Sequence, residues 1–276
     1  MKNFIIRTIS GLLFISAMLL SLMVNKYIFC VTSMIALSVM MYEFFRMTMG
    51  PQYKYSQILT IFAACLLFLL TFSYRAFDVP GRFSILAFVP FFIVMINSLY
   101  IKEKKNFGLF SNLYTALIYI LVPIALSNFA VFREPKVFDG KLLLSIYIII
   151  WSTDVGGYMF GSTLGQKFGK KLLPDVSPKK SWVGYWGGLI VAIVASVLLH
   201  YTGVIPFKLL HCIILGILIN VSGVYGDLVE SQWKRHYAIK DTGNIMPGHG
   251  GILDRFDSAL FAIPAAVIYL VILDLI

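Results

Sequence analysis

Residues 209–225 read LLHCIILGILINVSGVY, and the residues that follow, 226–258, read GDLVESQWKRHYAIKDTGNIMPGHGGILDRFDS. The first stretch holds no Asp, Glu, Lys or Arg, whereas the second holds five acidic and four basic residues. An apolar helix needs about 20 residues to cross the hydrocarbon core of a bilayer. The junction therefore predicts a membrane helix that leads into a dense polar segment at the membrane surface.

The rest of the 276-residue chain has the same apolar character. Hydrophobic residues make up 59% and charged residues 13%, and the mean hydropathy is +0.85. Soluble proteins have roughly 45–50% apolar and about 25% charged residues. The composition predicts an all-α, polytopic integral membrane protein and excludes a disordered chain, a coiled coil and a disulfide scaffold. The three cysteines lie in apolar runs without CxxC spacing, so no zinc site is indicated.

Charged residues divide the chain into nine apolar runs that we predict to span the membrane, the second of them short. Their predicted bounds are Thr8–Asn25, Tyr27–Tyr42, Gln57–Tyr74, Phe83–Ile101, Leu113–Phe132, Leu142–Phe160, Val183–Leu199, Leu209–Tyr225 and Ser258–Leu275. Residues 1–140 form the predicted N-terminal membrane region. Residues 141–276 form a predicted C-terminal catalytic region, because the loops before residue 140 are short and ordinary, whereas acidic residues and glycines invade or adjoin the later spans. Its predicted cytoplasmic loops cover residues 161–182 and 226–257.

Positive charge predicts the orientation of these spans. With the N-terminus in the cytoplasm, 16 of the 23 Lys and Arg residues lie in inside segments and 7 in outside segments. Cytoplasmic loops retain Lys and Arg, so this count favours a cytoplasmic N-terminus. The same retention explains the net charge of +10 without a nucleic-acid partner.

The polar segment after residue 225 carries the strongest indication of chemistry. If the helix continues into it, one face presents side chains at i, i+3, i+4 and i+7, namely Asp227, Glu230, Ser231 and Lys234. A similar spacing recurs at the entry to the ninth span, with Asp254, Asp257 and Ser258. Two such faces can converge on one divalent cation, and Mg²⁺ prefers oxygen ligands completed by waters and substrate phosphates. The alternative is a solvated loop in which the charges only neutralise one another.

Three further features adjoin this segment. The run Pro247-Gly248-His249-Gly250-Gly251 lacks bulky side chains, so its backbone N–H groups can approach a phosphate. Asp154 lies inside the sixth span, either as a helix-end residue bonded to its neighbours or as a ligand in a substrate cavity. Lys179 and Lys180 follow Pro178, which we expect to place them on a turn. There they bind either anionic lipid or a substrate phosphate.

The polar segment resembles the signature of the phosphatidate cytidylyltransferases, also called CDP-diacylglycerol synthases. The resemblance rests on about 27 residues with fixed spacing: Ser231-x-x-Lys234-Arg235, four residues, then Lys240-Asp241-x-Gly243-x-x-Met246-Pro247-x-His249-Gly250-Gly251-x-x-Asp254-Arg255-x-Asp257. Three shorter pieces resemble the same family: Asp154 with its following glycines, Ser177-Pro178-Lys179-Lys180, and Gly226-Asp227-Leu228-x-Glu230-Ser231. Two positions depart from it, since Trp233 replaces an aliphatic residue or Phe, and Ala238 a small residue that is often Gly.

The resemblance implies that CTP and phosphatidate react to give CDP-diacylglycerol and pyrophosphate. It implies Mg²⁺ as cofactor, with a monovalent cation such as K⁺ as a candidate second ion. It further implies a homodimer in the cell (inner or plasma) membrane, with an active site that faces the cytoplasm. No general base is required, because the attacking phosphate oxygen is already ionised at neutral pH.

We expect each candidate residue to have one of three roles. The expected metal ligands are Asp227 and Asp254, with Asp257 and Asp241 as further candidates. The residues expected to bind phosphates or contact the reacting groups are Lys234, Arg235, Lys240, Arg255 and His249. The remaining substrate-binding candidates are Asp154, Ser177, Lys179, Lys180 and Ser231.

Two other functions remain open on the sequence alone. A CTP-dependent polyprenol or phytol kinase resembles this group distantly, but it phosphorylates a neutral alcohol and needs a base. A polytopic transporter would use Asp154 and the glycine-interrupted helices around a site at the membrane midplane. The concentration of polar residues outside the spans favours an enzyme over a transporter.

Overall fold

The computed structural model describes residues 2–99, 108–165 and 169–276. The end of the fourth predicted span lies outside the described residues. So do four lysines that were counted as cytoplasmic, Lys102, Lys104, Lys105 and Lys167.

The described chain is mostly helical. Its α-helices are α1 (Lys2–Met23), α2 (Lys26–Thr48), α3 (Lys54–Phe77), α4 (Phe88–Ser98), α5 (Ser111–Ala116), α6 (Val122–Val131), α7 (Lys141–Phe160), α8 (Trp182–Tyr201), α9 (Leu209–His236), α10 (Leu253–Phe256) and α11 (Ala259–Ile272). Short 3₁₀ turns precede α3 and α4, and π-helical turns join α5 to α6 and follow α7.

Seven helical segments of the described chain are long and apolar enough to cross a membrane. They are Ile6–Met23, Lys26–Thr48, Pro51–Phe77, Gly108–Val131, Lys141–Gly165, Trp182–Tyr201 and Leu209–His236. Shorter apolar helices, Gly81–Asn97 and Ala259–Ile272, occupy the positions of the fourth and ninth predicted spans. The chain is therefore a multi-pass membrane protein, while the number nine and the cytoplasmic N-terminus remain predictions.

The second span is longer than the sequence predicted. It ends at Thr48 rather than Tyr42, and it includes Glu43 and Arg46. The prediction stopped at Glu43 because a carboxylate in an apolar helix is costly without partners. Glu43 has partners that are far away in the sequence, which are described below.

The chain forms two compact units. The first contains residues up to Asp139 together with Asp241–Arg255, and the second contains Gly140–Lys240 and Phe256–Ile276. The first boundary adjoins the division predicted at residue 140. The segment Asp241–Arg255 belongs with the N-terminal helices, although the sequence placed it in the C-terminal region.

The first unit has an aromatic core. The largest fully buried side chains there include Phe29, Phe44, Phe45, Phe68 and Phe132, each at most 2% exposed. Because lipid is itself apolar, close packing of such side chains is a principal force between membrane helices.

In the second unit, helices α7 and α8 approach each other through glycines. A Cβ atom on Gly184 would lie 2.9 Å from the carbonyl oxygen of Gly157, and one on Gly156 would lie 2.8 Å from Val191 Cβ. Small residues permit such backbone contact between membrane helices. The glycines after Asp154 therefore have a packing role in this unit.

The second unit also contains a hairpin that the all-α prediction missed. Strand β1 (Lys171–Leu173) pairs antiparallel with β2 (Ser177–Ser181). Lys179 and Lys180 thus lie on a strand and not on a turn, because residues 177–181 pair with β1. Ser181 ends the strand and caps α8, since its side chain accepts a hydrogen bond from the Gly184 N–H.

Candidate active site

Asp227 of the second unit contacts two other polar side chains. The Lys180 ammonium lies 2.5 Å from its Oδ2, and the Ser231 hydroxyl donates to its Oδ1 at 3.1 Å. Lys180 comes from β2, whereas Asp227 and Ser231 lie one turn apart on α9. The hairpin therefore brings a cation to the helix face that the sequence predicted.

The polar face of α9 continues beyond Ser231 to the end of the helix, as predicted. Lys234 Nζ lies 3.0 Å from Glu230 Oε1, four residues earlier, and the Glu230 side chain is fully buried. Arg235 donates from Nε to the carbonyl oxygen of Val176, at 3.4 Å, and thus contacts the tip of the hairpin. The helix ends at His236, so this face lies beyond the apolar stretch of residues 209–225.

Asp257 precedes α11 and lies near two other carboxylates. Burial is the main cause that raises the pKa of Asp257 to about 7, and Asp227 and then Asp154 add to the rise. The Ser258 N–H and Lys234 oppose it. Burial and two like charges thus disfavour the ionised form of Asp257, and a cation nearby would offset both effects.

Gly226 allows Asp257 to approach α9. A Cβ atom at Gly226 would lie 2.5 Å from the Asp257 carbonyl oxygen and 3.1 Å from Phe261 Cβ. Only glycine, whose side chain is a hydrogen atom, therefore fits at this position, where α9 meets the start of α11. The glycine of the Gly226-Asp227 pair places the next residue beside Asp257.

A cavity of about 390 Å³ lies inside the second unit. Its polar lining includes Thr153, Asp154, Lys179, Lys180, Ser181 and Asn220. Of these, Asp154, Lys179 and Lys180 were predicted to bind substrate. Ser177, also predicted, lies at the start of β2 and is not among the lining residues.

Asp254 in the first unit is buried and accepts hydrogen bonds from its own loop. Its Oδ2 accepts from the N–H of Thr242 at 2.9 Å, the hydroxyl of Thr242 at 3.0 Å and the N–H of Gly251 at 2.8 Å. These bonds hold both ends of the loop together. Asp254 belongs to the first unit and Asp227 to the second, so their predicted joint role as metal ligands remains a prediction.

Glu43, which the sequence analysis missed, contacts this loop. Its side chain is 1% exposed, and it accepts from the N–H of Leu253 at 2.8 Å and of Ile252 at 3.2 Å. A carboxylate on α2 thereby holds the start of α10. The signal was present, because an ionisable residue within an apolar helix usually has a functional partner.

The glycine-rich run contacts α1. Ser10 Oγ lies 2.8 Å from His249 Nδ1 and 3.0 Å from the carbonyl oxygen of Pro247. Gly248 and Gly250 have φ values of +78° and +88°, which favour glycine. The sequence analysis treated α1 only as a membrane span, so this contact was also missed.

The remaining predicted residues are exposed. Asp241 and Arg255 lie on the surface of the first unit, and Lys240 on that of the second. Within the described ranges, no group of three or more His, Cys, Asp or Glu side chains is arranged to hold a metal ion. A metal at this site would therefore need additional ligands, such as water or substrate oxygens.

Comparison with known proteins identifies the family. The model of the cytidylyltransferase family matches residues 5–273. A phosphatidate cytidylyltransferase of Bacillus subtilis (strain 168) is 32% identical over 260 residues, which cover 94% of each chain. One of Staphylococcus haemolyticus is 31% identical over 212 residues, covering 76% of this chain and 78% of its own. One of Staphylococcus aureus (strain COL) is 40% identical over 146 residues, covering 52% and 54%. The chain belongs to the cytidylyltransferase family.

Proposed function

We propose that this protein transfers CMP from CTP to phosphatidate, forming CDP-diacylglycerol and pyrophosphate. The observation that carries the proposal is the cluster in which Lys180 and Ser231 contact Asp227, with Asp257 nearby, where α9 extends beyond its apolar stretch. Membership of the family and the names of the relatives support the same reaction. A lipid from the bilayer and a water-soluble nucleotide can meet where a membrane helix extends beyond its apolar stretch.

The reaction joins two anions, so neutralisation of charge is the main task of the protein. A phosphate oxygen of the lipid forms a bond with the α-phosphorus of CTP, and the bond from that phosphorus to the bridging oxygen breaks. Pyrophosphate leaves with the bonding electrons, and no proton needs to be removed. Positioning and electrostatic stabilisation account for most catalysis of phosphoryl transfer.

In the second unit, we assign phosphate binding to Lys179, Lys180, Lys234, Arg235 and Lys240. Lys180 and Lys234 are each paired with a carboxylate, at 2.5 and 3.0 Å. A substrate phosphate offers each ammonium a further anionic partner. In the first unit, we assign the same task to Arg255, with His249 as a substrate contact.

The oxygen donors of the second unit fit Mg²⁺. Asp227 and Asp257 lie close enough for one to raise the pKa of the other, and both are hard ligands. Magnesium is usually bound by one or two carboxylates together with waters and substrate phosphates. We propose Asp227 and Asp257 as its ligands, with Asp154 as a further candidate of this unit, while the metal roles expected for Asp254 and Asp241 stay predictions. When bound, the ion would neutralise phosphate charge. We keep K⁺ as a candidate second ion.

Labelled CTP tests the reaction and separates it from the kinase alternative. With purified protein, Mg²⁺ and phosphatidate, label at the α-phosphate should enter the lipid, while label at the γ-phosphate should appear in pyrophosphate. Transfer of γ-label to a polyprenol or phytol would indicate a kinase and overturn the proposal. Absence of any lipid product would also overturn it.

A pair of lysine variants tests whether the cluster carries the activity. Lys180→Ala removes the cation on Asp227, and we expect about a 10- to 150-fold loss of kcat/KM, as for a lost charge-assisted hydrogen bond. Lys208→Ala is the control, because this exposed lysine lies at the other end of α9. Equal activity of both variants would remove Lys180 from the site.

We further propose that the protein lies in the cell membrane with a cytoplasmic N-terminus and the site facing the cytoplasm. The charge count of 16 against 7 supports this orientation, and nine spans would then place the C-terminus outside. The family resemblance supports a homodimer, which the mass of the protein in detergent tests.

A further inference from the structure

Asn220 is a buried amide in the middle of α9, and its polar atoms have no hydrogen-bond partner among the residues that the structure describes. The side chain is 0% exposed, and neither Nδ2 nor Oδ1 is bonded within the described part of the chain. Thr153 on α7 is 5% exposed, and its hydroxyl lacks a partner in the same sense. Nearly all buried polar groups in proteins are hydrogen-bonded, so two such residues need an explanation.

Both residues line the same cavity of the second unit, together with Asp154, Lys179 and Lys180. Asn220 precedes Asp227 by seven residues, which places it roughly 10 Å farther along α9 toward its apolar end. The cavity therefore has a charged end near the hairpin. Along α9 toward its apolar end the lining is uncharged, with Val224, Asn220 and, beside the amide, Gly188 of α8. Asp154 is the lining charge on α7.

This gradient matches a lipid phosphate with its glycerol ester beneath it. In phosphatidate, six covalent bonds separate the phosphorus from the sn-2 carbonyl oxygen. An ester carbonyl only accepts hydrogen bonds, whereas the Asn amide and the Thr hydroxyl both carry donors. The triphosphate of CTP suits the uncharged lining beside Asn220 less well, because it is highly charged, and the KM for CTP tests whether the neutral base lies there.

We propose that this cavity binds the glycerol ester region of the lipid substrate, and that Asn220 and Thr153 donate to an ester carbonyl. The assignment rests on the proposed function and deepens it, because it names the part of the lipid that is recognised. The phosphate of the same molecule would lie at the end lined by Lys179 and Lys180.

Ester-linked and ether-linked phosphatidates of equal chain length test the proposal in mixed micelles. The ether lipid lacks the carbonyl oxygens but keeps the phosphate and the chains. For the wild-type protein we expect kcat/KM to be about 3- to 10-fold higher with the ester lipid, the ratio that one neutral hydrogen bond provides. In Asn220→Leu, which has a similar volume and no donor, the ratio should fall well below the wild-type value, with the Thr153 donor remaining and KM for CTP unchanged.

Ser222→Ala is the matched control on the same helix, because the Ser222 hydroxyl donates to the carbonyl oxygen of Leu218. It should keep the wild-type ratio. If Asn220→Leu does not accumulate, Thr153→Val provides a second variant, and the wild-type ratio alone remains decisive.

Three results would overturn the proposal: a wild-type ratio of 1, a Leu variant that keeps the wild-type ratio, or a Leu variant that changes only KM for CTP. The last result would assign the cavity to the nucleotide. Failure of the wild-type protein to convert either lipid would instead contradict the proposed function.

Discussion

The carboxylates of Asp227 and Asp254 face different kinds of donor, and we predict different defects when each becomes Asn. Asp254 accepts from two backbone N–H groups of its loop, whereas Asp227 contacts the side chains of Lys180 and Ser231. Asp254→Asn should lower the melting temperature, because a neutral amide oxygen then replaces the charged oxygen that accepts three hydrogen bonds, at a cost of about 1–3 kcal/mol. Asp227→Asn should keep the melting temperature but lose most activity and require more Mg²⁺.

Turnover against Mg²⁺ concentration and thermal unfolding in detergent distinguish the two defects. Asp175→Asn is the control, because Asp175 is exposed in the hairpin turn. A wild-type Mg²⁺ curve for Asp227→Asn would remove Asp227 from the proposed metal site. An unchanged melting temperature for Asp254→Asn would show that its hydrogen bonds do not stabilise the loop.

Glu43→Gln should destabilise the loop Asp241–Arg255 of the first unit without changing a contact within the second unit. One of the N–H groups of Ile252 and Leu253 would then face an amide nitrogen instead of a carboxylate oxygen. We expect a loss of about 1.5–3 kcal/mol in the stability of the loop, since hydrogen bonds to charged groups are worth that much. Faster hydrogen exchange at residues 252 and 253 measures it.

The exposed Glu134 offers the matched control for that exchange experiment. Glu134→Gln should leave exchange at residues 252 and 253 unchanged. Equal exchange in Glu43→Gln and the wild-type protein would show that the loop holds its conformation without α2.

The contacts of single polar residues within apolar runs could not be predicted from the sequence. The period of the helix predicted the face that carries Asp227 and Ser231, because these two residues, which contact each other, lie one turn apart. Glu43 bonds residues 209 and 210 positions later, and no local pattern indicates such a contact. Asn220 looked like an ordinary residue of a span, since only the packed helices reveal that it lacks a partner.

At the scale of helices, Gly226→Ala should disturb the meeting of α9 and α11. The added Cβ would lie 2.5 Å from the Asp257 carbonyl oxygen, so the helices must move apart. We expect a lower melting temperature and a raised Mg²⁺ requirement, because Asp227 and Asp257 would separate.

Gly223→Ala is the control on the same helix, one turn earlier. Its added Cβ would lie 3.6 Å from Ser258 Cβ, an ordinary contact. We expect near wild-type behaviour from this variant. Equal effects of the two alanines would show that the close approach at Gly226 is not what matters.

Ala238→Gly should stabilise the end of α9. Ala238 has a φ of +53°, in the left-handed region. That region costs residues other than glycine roughly 1–2 kcal/mol, of which glycine's greater freedom in the unfolded chain offsets part. We expect a net gain of about 0.5–1 kcal/mol, measured as a higher melting temperature.

A glycine within a helix should have the opposite effect. Ala195→Gly on α8 should cost about 1 kcal/mol. A lower melting temperature for both variants would show that the backbone at residue 238 is not strained. The left-handed backbone at residue 238 also explains why the family signature often has Gly where this chain has Ala238, because the helix ends in a conformation that suits glycine.

Helices and hairpins differed in how well the sequence predicted them. Residues 209–236 hold an apolar stretch followed by a polar helix face, and the structure has one helix over these 28 residues. The hairpin has strands of three and five residues, too short to establish a period. Pro178 was therefore interpreted as the start of a turn, although it lies within β2.

At the scale of the whole molecule, cysteine labelling tests the orientation. In a variant without Cys30, Cys65 and Cys212, single cysteines replace the exposed residues Asp175, Asn244 and Thr202. With intact cells, an impermeant reagent should label position 202 but neither 175 nor 244, because the charge count places those two inside. Rapid labelling at 175 or 244 would reverse the orientation.

Composition predicted the class of the molecule better than the number of its spans. Apolar runs bounded by charge predicted membrane helices throughout the chain. The fourth and ninth runs form shorter helices, the latter of 14 residues, because a run measures hydropathy and not where a helix begins. Asp241–Arg255 contacts the N-terminal helices through Glu43 and Ser10, and hydropathy carries no information about such contacts.

The contact between Glu43 and Leu253 also constrains how the protein is made. Glu43 leaves the ribosome about 210 residues before its donor, an interval of roughly 10–40 s at 5–20 residues per second. During that time α2 is in or near the bilayer with a carboxylate that has not yet met these backbone N–H groups. Water or the insertion machinery must solvate the carboxylate until the loop arrives. Completion of the first unit therefore waits for synthesis of nearly the whole chain, and a fragment that ends before residue 241 would leave this helix without its final partner.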